Sequence, residues 1–285
     1  MKLKTLLMIA SLLIVLTARS QDVQKRKTRF PVGLYTTENS NIYGLSVGIG
    51  SDIREAKYSV SVVRSNGLRI EPISQSLLFF TLIFPIDMVN YPSEEADYAT
   101  FDKKMPNEII NGINLSCGTN AFANVNGITL SAITQSLKNT NGIAIAGLGT
   151  CANRSNGVQI SFFNTSALYS NGLMLGGFQT NVYKGRGVNL AFWYNEYKYY
   201  DGLMISVCNG VMTKPEAFSG LQIGIVNRTK KLRGIQIGLW NVNEKRSLPF
   251  INWNFSNKPP KSPKTESERT KWINQSNINK PSTNN

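Results

Sequence analysis

The sequence predicts an all-β chain wound as a β-solenoid of about nine 15-residue coils. Glycines recur at Gly112, Gly127, Gly142, Gly157, Gly172, Gly187 and Gly202, every spacing being fifteen residues, and continue at Gly220 and Gly234. A fixed period of this length marks a repeat architecture. The first and third residues after each glycine are always Ile, Val or Leu, while the second is mixed. That alternation is a β-strand with one buried face. Asparagine precedes the glycine at Asn111, Asn126, Asn141, Asn156 and Asn171, and Asn-Gly suits a tight corner at positive φ.

Within one coil, the aliphatic columns that begin at Ile113 and Leu115 and end at Ile235 and Ile237 are expected to form the core. The residues between them are then expected on the outer face: Asn114, Thr129, Ala144, Gln159, Met174, Asn189, Met204, Gln222 and Gln236. The fourth residue after the glycine is always Ser, Ala or Gly, which fits a bend or a close approach of neighbours. A second corner is expected near Asn164, Asn209, Asn227 and Asn241. A second short strand would then enter the core through Phe122, Leu137, Ala152, Ala167, Val182 and Tyr197.

Coils stack about 4.8 Å apart, so nine make a rod of roughly 43 Å. Stacking also aligns the asparagines into a ladder of side-chain hydrogen bonds. An antiparallel β-meander and an outer-membrane β-barrel are the alternatives. Their turns alternate between two ends and do not require one turn at one strict spacing, whereas a solenoid does.

The flanks differ from the repeat. Residues 1–20 have a basic start, an apolar run and a small-residue site before Gln21, the pattern of a secretory signal peptide. Residues 21–111 form an N-terminal β region with degenerate repeats, "YGLSVGIG" from Tyr43 and "NGLRIEP" from Asn66. Gly67 and Gly112 lie three periods apart, but Leu82 and Asp97 hold the intervening glycine positions, so no coils are counted there. Residues 77–86 read as a buried strand or cap. Residues 93–104 are an acidic insertion, read as a solvated helix or loop. Residues 112–255 are the repeat domain, and "RSLPFINWNF" at its end is expected to cover the last coil. Residues 256–285 are mostly Ser, Asn, Lys, Pro and Thr, with Trp272 and two isoleucines as their apolar residues and a charge of +4, and are expected as a disordered basic tail.

Composition narrows the chemistry. Losing Lys2, Lys4 and Arg19 with the leader lowers the formal charge from +14 to +11, a balance that favours anionic partners. Cations are not gathered into one basic stripe, so nucleic acid is not expected. The chain has no histidine, which excludes a Ser-His-Asp triad, a Cys-His dyad and histidine metal sites. No cofactor, metal or catalytic residue is assigned. Cys117, Cys151 and Cys208 fall on coils that are not adjacent. They are expected as free, buried or half-buried thiols, because Cα atoms beyond about 7 Å cannot be bridged.

The last third, "GLQIGIVNRTKKLRGIQIGLWNVNEKRSLPFINWNF", resembles the bacterial surface-repeat proteins whose units read Gly-Leu-Gln-Ile-Gly-Leu-x-Asn. The resemblance implies an exported protein of a Gram-negative bacterium, in the periplasm or on the outer membrane or cell surface. It implies no reaction, and this chain lacks a lipid-anchor cysteine. The expected function is a non-enzymatic envelope protein with a structural or adhesive role. An outer-membrane barrel and a polysaccharide-acting enzyme are the alternatives. Between residues 112 and 241 the only acids are Glu196, Asp201 and Glu216, and paired carboxylates are what glycoside chemistry needs. The expected partner is a glycan or an envelope surface, and membrane association remains open. Tyr194, Tyr199 and Tyr200 in "AFWYNEYKYY" are the candidate glycan-stacking residues.

Overall fold

The computed structural model describes residues 27–34, 39–49, 62–74, 106, 108–119, 123–212 and 215–255. The leader, the segments 77–86 and 93–104, Phe122 and the tail lie outside the described residues. Strands hold the described chain, with no helix among these residues. They are β1 (Lys27–Arg29), β2 (Val32–Leu34), β3 (Ser40–Val47), β4 (Val63–Glu71), β5 (Glu108–Ser116), β6 (Ala123–Ser131), β7 (Thr134–Ala146) and β8 (Gly149–Ser161). The series continues with β9 (Asn164–Gly176), β10 (Gln179–Ala191), β11 (Tyr194–Ile205), β12 (Cys208–Asn209), β13 (Ala217–Ile223), β14 (Val226–Arg228), β15 (Lys231–Val242) and β16 (Ser247–Asn254).

Successive coils pair in parallel, from β3 on β4 to β13 on β15. Gly44 pairs with Gly67, Gly67 with Gly112, and so on along the column to Gly234. The fold is therefore a β-solenoid of about eleven turns, and neither a meander nor a barrel. The two extra turns are the degenerate copies at Gly44 and Gly67. Gly67 meets Gly112 directly, so the long sequence between them inserts no coil into that ladder. The eleven glycines of the column hold φ between 104° and 148°, and a Cβ on Gly172 would overlap the carbonyl oxygen of Gly157. No other residue fits where each coil touches its neighbour so closely.

One expectation is overturned. The aliphatic columns face outward and the mixed column faces inward. Ile113 is 43% exposed and Ile128 39%, whereas Asn114, Thr129, Ala144, Gln159, Met174 and Gln236 are fully buried. Parity gives the reason. In a strand, alternate residues share a face, so the glycine, the mixed residue and the small residue all lie on one side. That side is the interior of a narrow coil, where glycine and small residues permit close approach and two columns of Ile and Leu do not fit.

The interior is then sealed by hydrogen bonds along the axis. Asn195, Asn209, Asn227 and Asn241 stack inside it, each Nδ2 donating to the next Oδ1 at 2.9, 2.7 and 2.8 Å. Three of these amides also donate to Ile205, Ile223 and Ile237 carbonyls. Asn209, Asn227 and Asn241 thus occupy one column as expected, while Asn164 sits one position before it, paired with Gln179. Outside, the expected ladder holds: Asn111, Asn126, Asn141 and Asn156 each donate to the preceding asparagine at 2.8–2.9 Å. Leu137, Ala152, Ala167, Val182 and Tyr197 enter the core.

At the C-terminal end, β16 closes the stack by pairing antiparallel with β15. Its buried Asn252 donates to Gln236 Oε1 at 3.2 Å, ending the inner glutamine column. All three cysteines are free and half-buried. Desolvation pushes the Cys151 thiol up to about 11, with the Ser166 hydroxyl, which donates to its Sγ at 3.1 Å, pulling the other way.

Candidate functional site

The outer surface of each strand has two parts, divided at the glycine. Residues after the glycine form the aliphatic face. Residues before it form a second face, on which two outward columns run down the axis. One column reads Arg154, Tyr169, Lys184, Tyr199, Ala217 and Lys231 on consecutive coils, and the other reads Asn156, Asn171, Arg186, Asp201, Ser219 and Arg233. Register alone aligns them, because each residue pairs with its counterpart one coil away.

These columns border a groove of about 1010 Å³. Its cations are Arg154, Lys184, Arg186, Lys231, Arg233 and, from the cap, Lys245, and its acids are Asp201 and Glu244. Ala217 and Ser219 are the reason for the hollow. They put short side chains between the Lys184–Arg186 coil and the Lys231–Arg233 coil, which stand about 14 Å apart.

The groove is floored by rings. Tyr200 and Phe218 lie parallel, centroids 6.2 Å apart and planes 7° apart. Gly185 makes this possible, since a Cβ there would press on the Tyr200 ring at 2.5 Å. The Tyr200 hydroxyl is buried without a hydrogen-bond partner among the described residues, and burial holds its pKa well above the usual tyrosine range. A tyrosine ridge flanks the floor. Tyr169, Tyr183 and Tyr199 meet edge to face with centroids 6.4 and 6.0 Å apart. Arg154 lies 5.0 Å over Tyr169, and the Lys198 ammonium 5.2 Å over Tyr183. These contacts hold the flexible cations near the ridge.

The three tyrosines singled out from sequence therefore divide. Tyr199 lines the groove half-exposed, and Tyr200 lies beneath it, 2% exposed. Tyr194 lies elsewhere, on the corner after the aliphatic face, packed edge-on against Phe178 and Trp193 at 6.0 and 5.9 Å. Of the acids between residues 112 and 241, Glu196 and Asp201 also separate. Glu196 is buried and accepts the Met212 N–H at 3.0 Å, whereas Asp201 is exposed along the groove. Sequence reasoning missed Arg154, Lys184, Arg186, Lys231 and Arg233. They stand at equivalent positions of the repeat, three and one residues before the glycine, and those two columns of the alignment carry a basic stripe.

No family model matches the chain, and neither a curated protein nor a solved structure matches it.

Proposed function

We propose that the chain is an exported, non-enzymatic envelope protein of a Gram-negative bacterium, with an adhesive or structural role, that binds an acidic polysaccharide along the groove. The observation that carries this reading is the interleaving of cations and tyrosines on consecutive coils of one face. A polysaccharide laid along the axis would cross six coils, about 24 Å. Its carboxylates or sulfates would meet Lys184, Arg186, Lys231 and Arg233, and its rings would lie against Tyr169 and Tyr199. The surface-repeat resemblance and the leader support export. Two acids among six cations favour holding an anionic chain over cleaving it.

Titration calorimetry with polygalacturonate and uncharged dextran tests this. The expected result is binding of polygalacturonate alone, weakened by salt. Replacing Lys184 and Arg186 together by alanine should lower affinity about tenfold or more. Tyr199→Ser should weaken binding while Tyr194→Ser leaves it unchanged. Equal losses from the two tyrosine variants, or equal binding of dextran, would overturn the groove assignment. Tighter binding of duplex DNA would replace the glycan with a different polyanion.

A further inference from the structure

The aliphatic face is the second surface that the fold leaves unexplained. It starts at Val32 and Leu34, continues through Leu45 and Val47 and every coil to Ile235 and Ile237, and is extended by Trp253 and Ile251 of β16, which pair with those two residues. Every residue of its two columns is Ile, Val, Leu or, at the cap, Trp. Side chains on it are 36–43% exposed at Ile113, Leu115, Ile128, Leu130, Ile143 and Ile145. One long edge is a corner of aromatics, with Phe162 78% and Phe192 69% exposed and Phe163 stacked on Phe178 at 5.0 Å.

We propose that this face is the interface between two copies of the chain, packed sheet on sheet. Three observations select a second copy. Parallel sheets are found with both faces covered. Here the coil interior covers one face and nothing in the chain's described residues covers the other. The strip is about 58 Å long, and with its aromatic edge it spans roughly 600–900 Å², close to the ~800 Å² that each partner gives to a standard stable interface. It also exceeds the patch of a few hundred Å² that a monomer ordinarily exposes.

Charge decides against a lipid surface. A face that lies on anionic headgroups carries cations at its rim. The rim across the glycine corner is instead neutral on six coils, Asn66, Asn111, Asn126, Asn141, Asn156 and Asn171. The asparagines from Asn66 to Asn156 bond to one another. The cations of this side gather one column further away and on the C-terminal coils. A sheet on another copy needs only matching flatness and the same repeat, and this face supplies both.

Sedimentation of the purified chain gives the test. The expected mass is twice that of the chain down to about micromolar concentration, within the range such interfaces reach. Replacing Ile143 and Ile145 by lysine on a central coil should give monomers, with association at least a hundredfold weaker. Lys198→Ser on another wall should leave the dimer intact. A wild-type monomer overturns the proposal whether or not the lysine variant folds. So does a folded lysine variant that stays dimeric. A wild-type monomer that floats with vesicles of phosphatidylethanolamine and phosphatidylglycerol assigns the face to lipid instead. None of these outcomes touches the groove, so the two readings fail separately.

Discussion

The two ends of the solenoid interior solve the same packing problem with opposite chemistry. Near the N-terminus the inward column after the glycine carries Arg69, fully buried. Its guanidinium grips Glu108 through two bonds of 2.7 and 3.1 Å, and also donates to Glu71 at 3.0 Å and Asn114 at 2.8 Å. Thr119 and Ser65 donate to two oxygens that the guanidinium also engages, Glu71 Oε2 and Glu108 Oε1. Near the C-terminus the same column carries Met204 and Gln222. The column two before the glycine, which is Ser65 at the first end, becomes Tyr200, Phe218 and Leu232. Tyr197, Tyr200 and Phe218 pack within 5.7–6.4 Å of one another. Arg69 accompanies the short Ser65 at the first end, whereas Met204 and Gln222 accompany large rings at the second. The backbone fixes a volume, and either an ion cluster or an aromatic cluster fills it.

If the backbone is the common term, damage to it should ignore this difference. Gly67→Ala and Gly220→Ala each add a Cβ that overlaps the carbonyl oxygen of the preceding glycine, at φ 130° and 126°. Each should cost at least about 3 kcal/mol, and chemical denaturation should show it at both ends. A tolerated alanine at either end would mean that the coils can slide apart locally, and the two interiors would no longer share one frame.

The ion cluster should be the more brittle filling. Glu108→Gln leaves Arg69 buried with Glu71 as its remaining carboxylate among the described residues, and breaking a buried pair costs about 3–5 kcal/mol. Replacing Arg69, Glu71 and Glu108 together by Met, Leu and Leu should recover most of that loss, since apolar residues of similar volume often replace buried ion pairs at no net cost. Denaturant midpoints of the single and triple variants make the comparison. A triple variant less stable than Glu108→Gln would show that the cluster specifies the N-terminal coils rather than merely filling them.

How much of this was legible in sequence follows from parity and register. The fifteen-residue spacing of the glycines gave the stacked coil, and the Asn-Gly pairs gave the outer ladder from Asn66 to Asn156. Hydrophobicity alone assigns Ile and Leu inward and so reverses the direction of the faces. Gly172, Met174 and Gly176 share a side, and the crowding at that glycine was the better guide. Tyr199 was legible as an exposed aromatic. Tyr200 was not, because its burial depends on Gly185 one coil away making room for the ring. The Arg69 cluster was illegible for a similar reason: Glu108 lies 39 positions further along the chain, and only the direct pairing of β4 with β5 brings it there.

Within the aromatic end, two tyrosines sharpen the comparison at the smallest scale. The Tyr197 hydroxyl donates to the Arg228 carbonyl at 3.0 Å and accepts from Gln222 Nε2 at 2.7 Å. Tyr197→Phe strands that buried amide and should cost about 1–2 kcal/mol. Tyr200→Phe removes a hydroxyl that has no partner among the described residues and should change stability by less than about 0.5 kcal/mol. Burial raises the pKa of both phenols above the ordinary value of 10.0. Below pH 10 both states of the chain keep these protons, so the contribution is constant. Above it the unfolded chain loses them first, and stability falls as pH rises. Each phenylalanine variant should therefore flatten the alkaline limb of the stability curve, and Tyr200→Phe should do so with almost no change at neutral pH. A Tyr200→Phe variant as damaged at neutral pH as Tyr197→Phe would show that the Tyr200 hydroxyl has a partner in solution, and a water or ligand reaching it from the groove would be the place to look.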